Sequence, residues 1–150
     1  MQTTVERSID VDVPVTTAYN QWTQFETFPQ FMESVSSVTQ IEDDLTRWET
    51  EVGGVDRTFT ARITEQDPDK RIAWTTVDGP RQGGVVTFHQ LRDNETRVMY
   101  QMDFEPEGIV EKAGAVIGLV ERQVESDLER FKKFIEARGS ETGEWRGSIA

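Results

Sequence analysis

The sequence predicts an α+β fold, a curved antiparallel sheet of six to seven strands wrapped around one long C-terminal helix, and three observations carry that expectation. Period-two segments fill most of the chain up to about residue 105. Every break between them is a turn signal. The chain then closes with one amphipathic segment, Pro106 to Gly139, whose apolar residues recur at steps of three and four.

The first segment alternates, with Val5, Ile9, Val11 and Val13 on one face and Glu6, Ser8, Asp10 and Asp12 on the other, which is a half-buried strand. Pro14 ends it. Val15, Ala18, Tyr19 and Trp22 follow at helical spacing and predict a short helix over about 15–24. Phe25, Phe28, Phe31 and Met32 surround Pro29, which stops that helix and can open a second short one. Strands are then expected near 35–42, 45–52, 55–66, 71–77, 85–92 and 96–105. Asp43-Asp44, Gly53-Gly54, Asp67-Pro68-Asp69-Lys70, Asp78-Gly79-Pro80 and Asp93-Asn94 separate them, and such short reversals make neighbours antiparallel. The closing helix is expected from about 107 to 138. Val110, Ala113, Ile117, Val120, Val124, Leu128, Phe131 and Ile135 form its stripe, and Arg138-Gly139 its end. Gly114 and Gly118 lower its helix propensity unless something approaches the backbone there.

Composition narrows the functional classes. A chain of 150 residues is one domain with a real core, here taken as 1–139, followed by a flexible or surface-draped tail, 140–150. Sixteen Lys plus Arg against 28 Asp plus Glu give a net charge of -12, which disfavours nucleic acid and anionic membranes as partners. The absence of cysteine removes disulfides and thiolate metal sites, and neither a metal nor a cofactor is expected. No run reaches the length of a membrane span, so stable membrane insertion is not expected, and the default location is cytoplasmic.

Strand parity puts Trp48, Thr50 and Val52 on one row, Phe59, Ala61 and Ile63 on another, Ile72, Trp74 and Thr76 on a third, and Val98, Tyr100, Met102 and Phe104 on a fourth. Pointing to one side, these rows supply either a solid aromatic core or the wall of a cavity. On residue types alone the solid core is favoured. Chemistry has few holders. His89, the one histidine, is the catalytic candidate, and it faces solvent if Phe88 points inward. Arg57 shares the row of Phe59 and either anchors a polar head group or snorkels at a strand end beside Glu49 and Glu51. The acidic residues Asp10, Asp12, Glu42, Asp43 and Asp44 lack calcium-loop spacing and read as solvated surface.

Val13-Pro14-Val15-Thr16-Thr17-Ala18-Tyr19-Asn20-Gln21-Trp22, Phe25-Glu26-Thr27-Phe28-Pro29-Gln30-Phe31-Met32, Ile63 to Trp74, Gly84 to Leu91 and Asp127 to Glu136, in this order of elements, resemble the START-related polyketide cyclase/dehydrase and coenzyme-Q-binding superfamily. The resemblance implies a helix-grip fold and an apolar cavity between sheet and helix that takes lipids, quinones or polyketides. It therefore implies binding, sequestration or transfer of a hydrophobic small molecule or lipid. The alternative is a cyclase, aromatase or dehydratase using the same cavity without metal or nucleotide. The ligand-contact candidates are Trp48, Arg57, Phe59, Ala61, Trp74, Tyr100, Met102, Phe28, Met32, Gly114, Ile117 and Gly118. The mouth is expected near Phe28–Met32 and Gly53-Gly54, and Gly118→Leu is expected to fill the cavity.

Overall fold

The computed structural model describes residues 3–52, 54–79, 81–105 and 113–149. The alternating segments become β1 (Thr3–Val11), β2 (Val35–Glu42), β3 (Leu45–Val52), β4 (Val55–Asp67), β5 (Arg71–Thr76), β6 (Gln82–Arg92) and β7 (Glu95–Phe104). Between β1 and β2 lie α1 (Val15–Trp22) and a 3-10 helix (Phe25–Gln30), and the chain closes with α2 (Ala113–Arg138). The strands form one seven-stranded antiparallel sheet in the order β1-β7-β6-β5-β4-β3-β2. The first strand thus pairs with the last, Thr3 opposite Phe104 and Val11 opposite Thr96. Register shifts in β2, β4 and β6 bend the sheet. This is the expected helix-grip architecture.

Several boundaries shift by one or a few residues from the sequence expectation, and two of the shifts have a packing reason. β6 begins at Gln82 rather than 85, because Gly83 and Gly84 are paired strand residues opposite Thr75 and Trp74. A Cβ on Gly84 would overlap the Trp74 indole, so glycine here marks close packing and not a turn. β1 ends at Val11, yet Val13 stays buried and its carbonyl accepts a 2.9 Å hydrogen bond from the Thr96 hydroxyl. The part of the closing helix expected at 107–112, with Val110, lies outside the described residues. From Ala113 the helix runs unbroken to Arg138, and Gly139, at φ 74°, caps it through a 2.9 Å bond from its N–H to the Ile135 carbonyl.

Side chains of α2 fasten it to the outer edge of β1. Arg7 donates to Glu121 and Glu125, each at 2.8 Å. Lys132 donates to the Asp10 carbonyl at 2.8 Å, and Glu136 accepts from the Asp12 N–H at 2.7 Å. These exposed pairs contribute little stability individually, but they occupy backbone groups that an edge strand otherwise leaves open.

The helix has two different halves. Its C-terminal half puts Val124, Leu128, Phe131 and Ile135 into the core, all at most 1% exposed. Trp22 is the centre of that region, with the rings of Phe28, Phe31, Tyr100 and Phe131 at 5.3, 5.5, 5.6 and 5.3 Å. The N-terminal half is loose. Val116, Ile117 and Val120 are only partly buried and Leu119 is 45% exposed.

The tail, expected to be flexible or draped on the surface, is held against the body. The Gln21 side chain accepts from the Thr142 N–H at 2.9 Å, and Asn20 donates to Glu141 at 2.8 Å. Arg146 donates to Asn20 and Asp69 and stands over the Tyr19 ring, 5.6 Å from its centre. Ile149 forms an antiparallel bridge with Gln66. These partners lie far away in sequence, so no local pattern announced them.

Candidate functional site

Where the loose half of α2 faces the sheet, packing leaves a cavity of about 280 Å³. The sheet supplies an aromatic wall. Trp48 lies nearly parallel to Phe59 (5.8 Å, 14°) and to Trp74 (5.8 Å, 26°), and Tyr100 follows at 6.2 Å from Trp74. The pose of Trp48 is fixed from below, since its indole N–H donates to the Thr46 hydroxyl at 2.8 Å. Met102 and Phe104 continue the wall along β7, and Met32 and Val35 close it from the chain after the 3-10 helix. From α2 come Val116, Val120, Gln123 and Asp127, one helical row. Exposed Val55, Arg57 and Arg81, with Glu105, form the outer rim, and Arg81 pairs with Glu105 at 3.6 Å.

The solid core and the cavity left open by the residue types are both present, one under each half of α2. Of the ligand-contact candidates, Met32, Trp48, Arg57, Phe59, Trp74, Tyr100 and Met102 line the cavity. The others do not. Phe28 and Ala61 are fully buried behind the wall, with Phe28 packed on Trp22, Trp48 and Trp74. Gly114, Ile117 and Gly118 lie off the lining row of the helix, and an added Cβ at either glycine would meet nothing within 4 Å. The expectation that Gly118→Leu fills the cavity is therefore corrected, because Val116 and Val120 hold the row that faces the sheet. Arg57 sits at the rim and not inside, and Gly53 lies outside the described residues. His89 is exposed on the outer face, its Nε2 3.3 Å from the Thr87 hydroxyl, while Phe88 points inward. It has no access to the cavity.

The group that sequence reasoning missed is Asp127. It is 2% exposed, stands on the inner row of α2 and borders the cavity. Burial pushes its carboxyl up to about 8, with Arg130 opposing and Glu33 adding to the rise. Arg130 and Glu33 are themselves paired at 3.1 Å. No described residue hydrogen-bonds the carboxyl. Beside it, burial and the Asp127 charge together raise the Tyr100 hydroxyl, so the phenol keeps its proton. The signal was in the sequence. Asp127 is three residues after Val124 and four before Phe131, inside the apolar stripe, where an acid is out of place.

A sheet gripping a helix around an aromatic cavity defines a small-molecule-binding class of fold. Consistent with it, the family described as polyketide cyclase / dehydrase and lipid transport matches residues 11–133, and the chain belongs to that family. An uncharacterized 17.2 kDa protein of Streptomyces lincolnensis, named for the melC2-rnhH intergenic region, is 62% identical over 146 residues and 97% of each chain. Among solved structures, a START superfamily protein from Mycobacterium smegmatis superposes with a TM-score of 0.82 at 15% identity, over 90% of this chain and 98% of that one. The ZhuI aromatase/cyclase of Streptomyces sp. R1128 gives 0.79 at 17% identity, over 97% and 100%. At these identities the structural likeness speaks for the fold alone. No helix among the described residues is long and apolar enough to cross a membrane.

Proposed function

We propose that this protein binds a hydrophobic small molecule or lipid-like ligand between α2 and the sheet, and sequesters or transfers it. The observation that carries this reading is the unfilled aromatic cavity in a chain whose core is elsewhere packed tightly. Its volume of about 280 Å³ lies just below the usual pocket range of roughly 300–1,000 Å³, which suits a compact ring system better than a long acyl chain. Moving about 200 Å² of apolar surface out of water is worth on the order of 5 kcal/mol before the costs of association. Quinone- and polyketide-like molecules are of this chemical kind.

The test is a titration with an apolar naphthalene probe, read by tryptophan fluorescence, since Trp48 and Trp74 line the site. Val120→Phe, which puts a ring into the cavity, is expected to weaken binding at least tenfold, about 1.4 kcal/mol. Gly118→Ala is expected to leave affinity unchanged and to stabilise the helix by up to about 1 kcal/mol. Binding untouched by Val120→Phe would place the probe elsewhere.

The second reading, a cyclase, aromatase or dehydratase, is favoured by Asp127 and Tyr100, proton-bearing groups at the cavity wall. A buried acid poised near neutrality can give a proton to a carbonyl oxygen and take one back. Product formation from a polyketide-like ketone that Asp127→Asn abolishes while binding survives would make the protein an enzyme of this type.

A further inference from the structure

We propose that the molecule held in the cavity carries a carbonyl oxygen at its buried end, and that the Asp127 carboxyl donates a hydrogen bond to it. The inference rests on the ligand-binding reading above. Once a ligand displaces water from the cavity, a carboxyl that is 2% exposed, borders that cavity and lacks a hydrogen-bond partner among the described residues has two ways to be satisfied. It ionises and takes a cation, or it keeps its proton and gives it to an acceptor.

The surroundings decide between them. The cavity lining around it is largely apolar and aromatic, with Trp48, Trp74, Tyr100 and Val120, and its other charged members, Arg57, Arg81 and Glu105, stand at the exposed rim, where Arg81 and Glu105 pair at 3.6 Å. A cationic ligand would have to shed its hydration against that apolar wall to form a buried ion pair, which rarely repays its desolvation. A neutral acid and a neutral acceptor bury no charge. Burial holds the Asp127 carboxyl protonated to about pH 8, in agreement with this choice. The charged groups facing it are Arg130, one turn on along α2, and Glu33, from the segment before β2, and they neutralise each other at 3.1 Å. The Gln123 amide, one turn earlier, is engaged with the Ser34 hydroxyl. Tyr100, from β7, feels the Asp127 charge and brings a second O–H to the same cavity. Two donors favour a carbonyl over a hydroxyl, because a carbonyl oxygen offers two lone pairs and brings no proton of its own needing an acceptor.

The experiment compares 2-acetylnaphthalene with 2-ethylnaphthalene, which differ by the carbonyl oxygen at nearly constant size. Each is titrated into wild type, Asp127→Asn and Asp127→Leu at pH 6 and pH 9.5. Wild type is expected to prefer the ketone about fivefold at pH 6, and to lose that preference at pH 9.5, where the carboxyl is ionised and has no proton to give. Asp127→Asn keeps an N–H donor that does not titrate, so its preference should persist at both pH values. Asp127→Leu removes one of the two donors and should lose most of the ketone preference, the Tyr100 hydroxyl alone remaining. Equal binding of ketone and hydrocarbon by wild type at pH 6, or a preference undiminished in Asp127→Leu, overturns the inference while leaving the cavity reading intact. Tighter binding of 2-naphthylmethylammonium than of the ketone at pH 6 also overturns it, in favour of an ion pair. If wild type binds neither naphthalene, the ligand-binding reading itself falls and the inference with it.

Discussion

Asp127→Asn is expected to raise stability at pH 8 and above by on the order of 3 kcal/mol relative to wild type, and to have little effect near pH 4. The sign follows from the direction of the shift. Burial raises the folded-state carboxyl to about 8 from an ordinary value of 3.8, so between those values the folded protein holds a proton that the unfolded chain releases. The stability associated with that proton is complete below the unfolded value and is lost as pH rises through the folded one. Chemical denaturation of wild type and variant at pH 4, 6 and 8.5 measures it directly. A difference that does not grow with pH would mean that the carboxyl is hydrated or paired in solution. A fold that retains such a residue gives up stability at this position, the pattern expected where a group is kept for binding or chemistry.

Trp22→Ala is expected to cost about 3–5 kcal/mol, a large share of the roughly 5–15 kcal/mol available to a domain of this kind. The indole is fully buried and touches rings from the 3-10 helix, from β7 and from α2. Removing it leaves a hole that no single element can close. Urea titration should show the midpoint falling steeply with little change in slope. A loss below about 1 kcal/mol would show that the α1 region repacks freely and that the tight core described here is soft.

These two residues also mark what the sequence discloses. Trp22 was readable as core, since Val15, Ala18, Tyr19 and Trp22 fall on one helical face and Phe25 to Met32 follow around Pro29. The sheet was readable because each strand alternates and each turn carries Asp, Asn, Gly or Pro, so order and antiparallel sense came with the local pattern. Strand parity brought Trp48, Phe59, Trp74, Tyr100 and Met102 to one side, and it turned His89 outward once Phe88 turned inward. What local pattern could not supply was how far the helix stands from the sheet. That distance makes Val116 and Val120 lining residues and leaves Gly114 and Gly118 facing open space. The contacts that hold the helix at the edge of the sheet, made by Arg7, Lys132 and Glu136, join residues more than a hundred positions apart in sequence. The start of β6 was missed for the same reason, because Gly84 lies against the Trp74 indole of the neighbouring strand. Asp127 was legible and overlooked, hidden by Glu125, Glu129 and Arg130, charged neighbours in sequence that, unlike it, are exposed.

The central claim is that a small apolar molecule occupies the space between Val120 and the aromatic wall. Native mass spectrometry of the protein mixed with 2-acetylnaphthalene at pH 6 tests it most directly. The expected result is a one-to-one complex with wild type that Val120→Phe abolishes while its thermal melt stays cooperative. A wild-type protein that remains unliganded at saturating probe, or a Val120→Phe variant that keeps the complex, would contradict it.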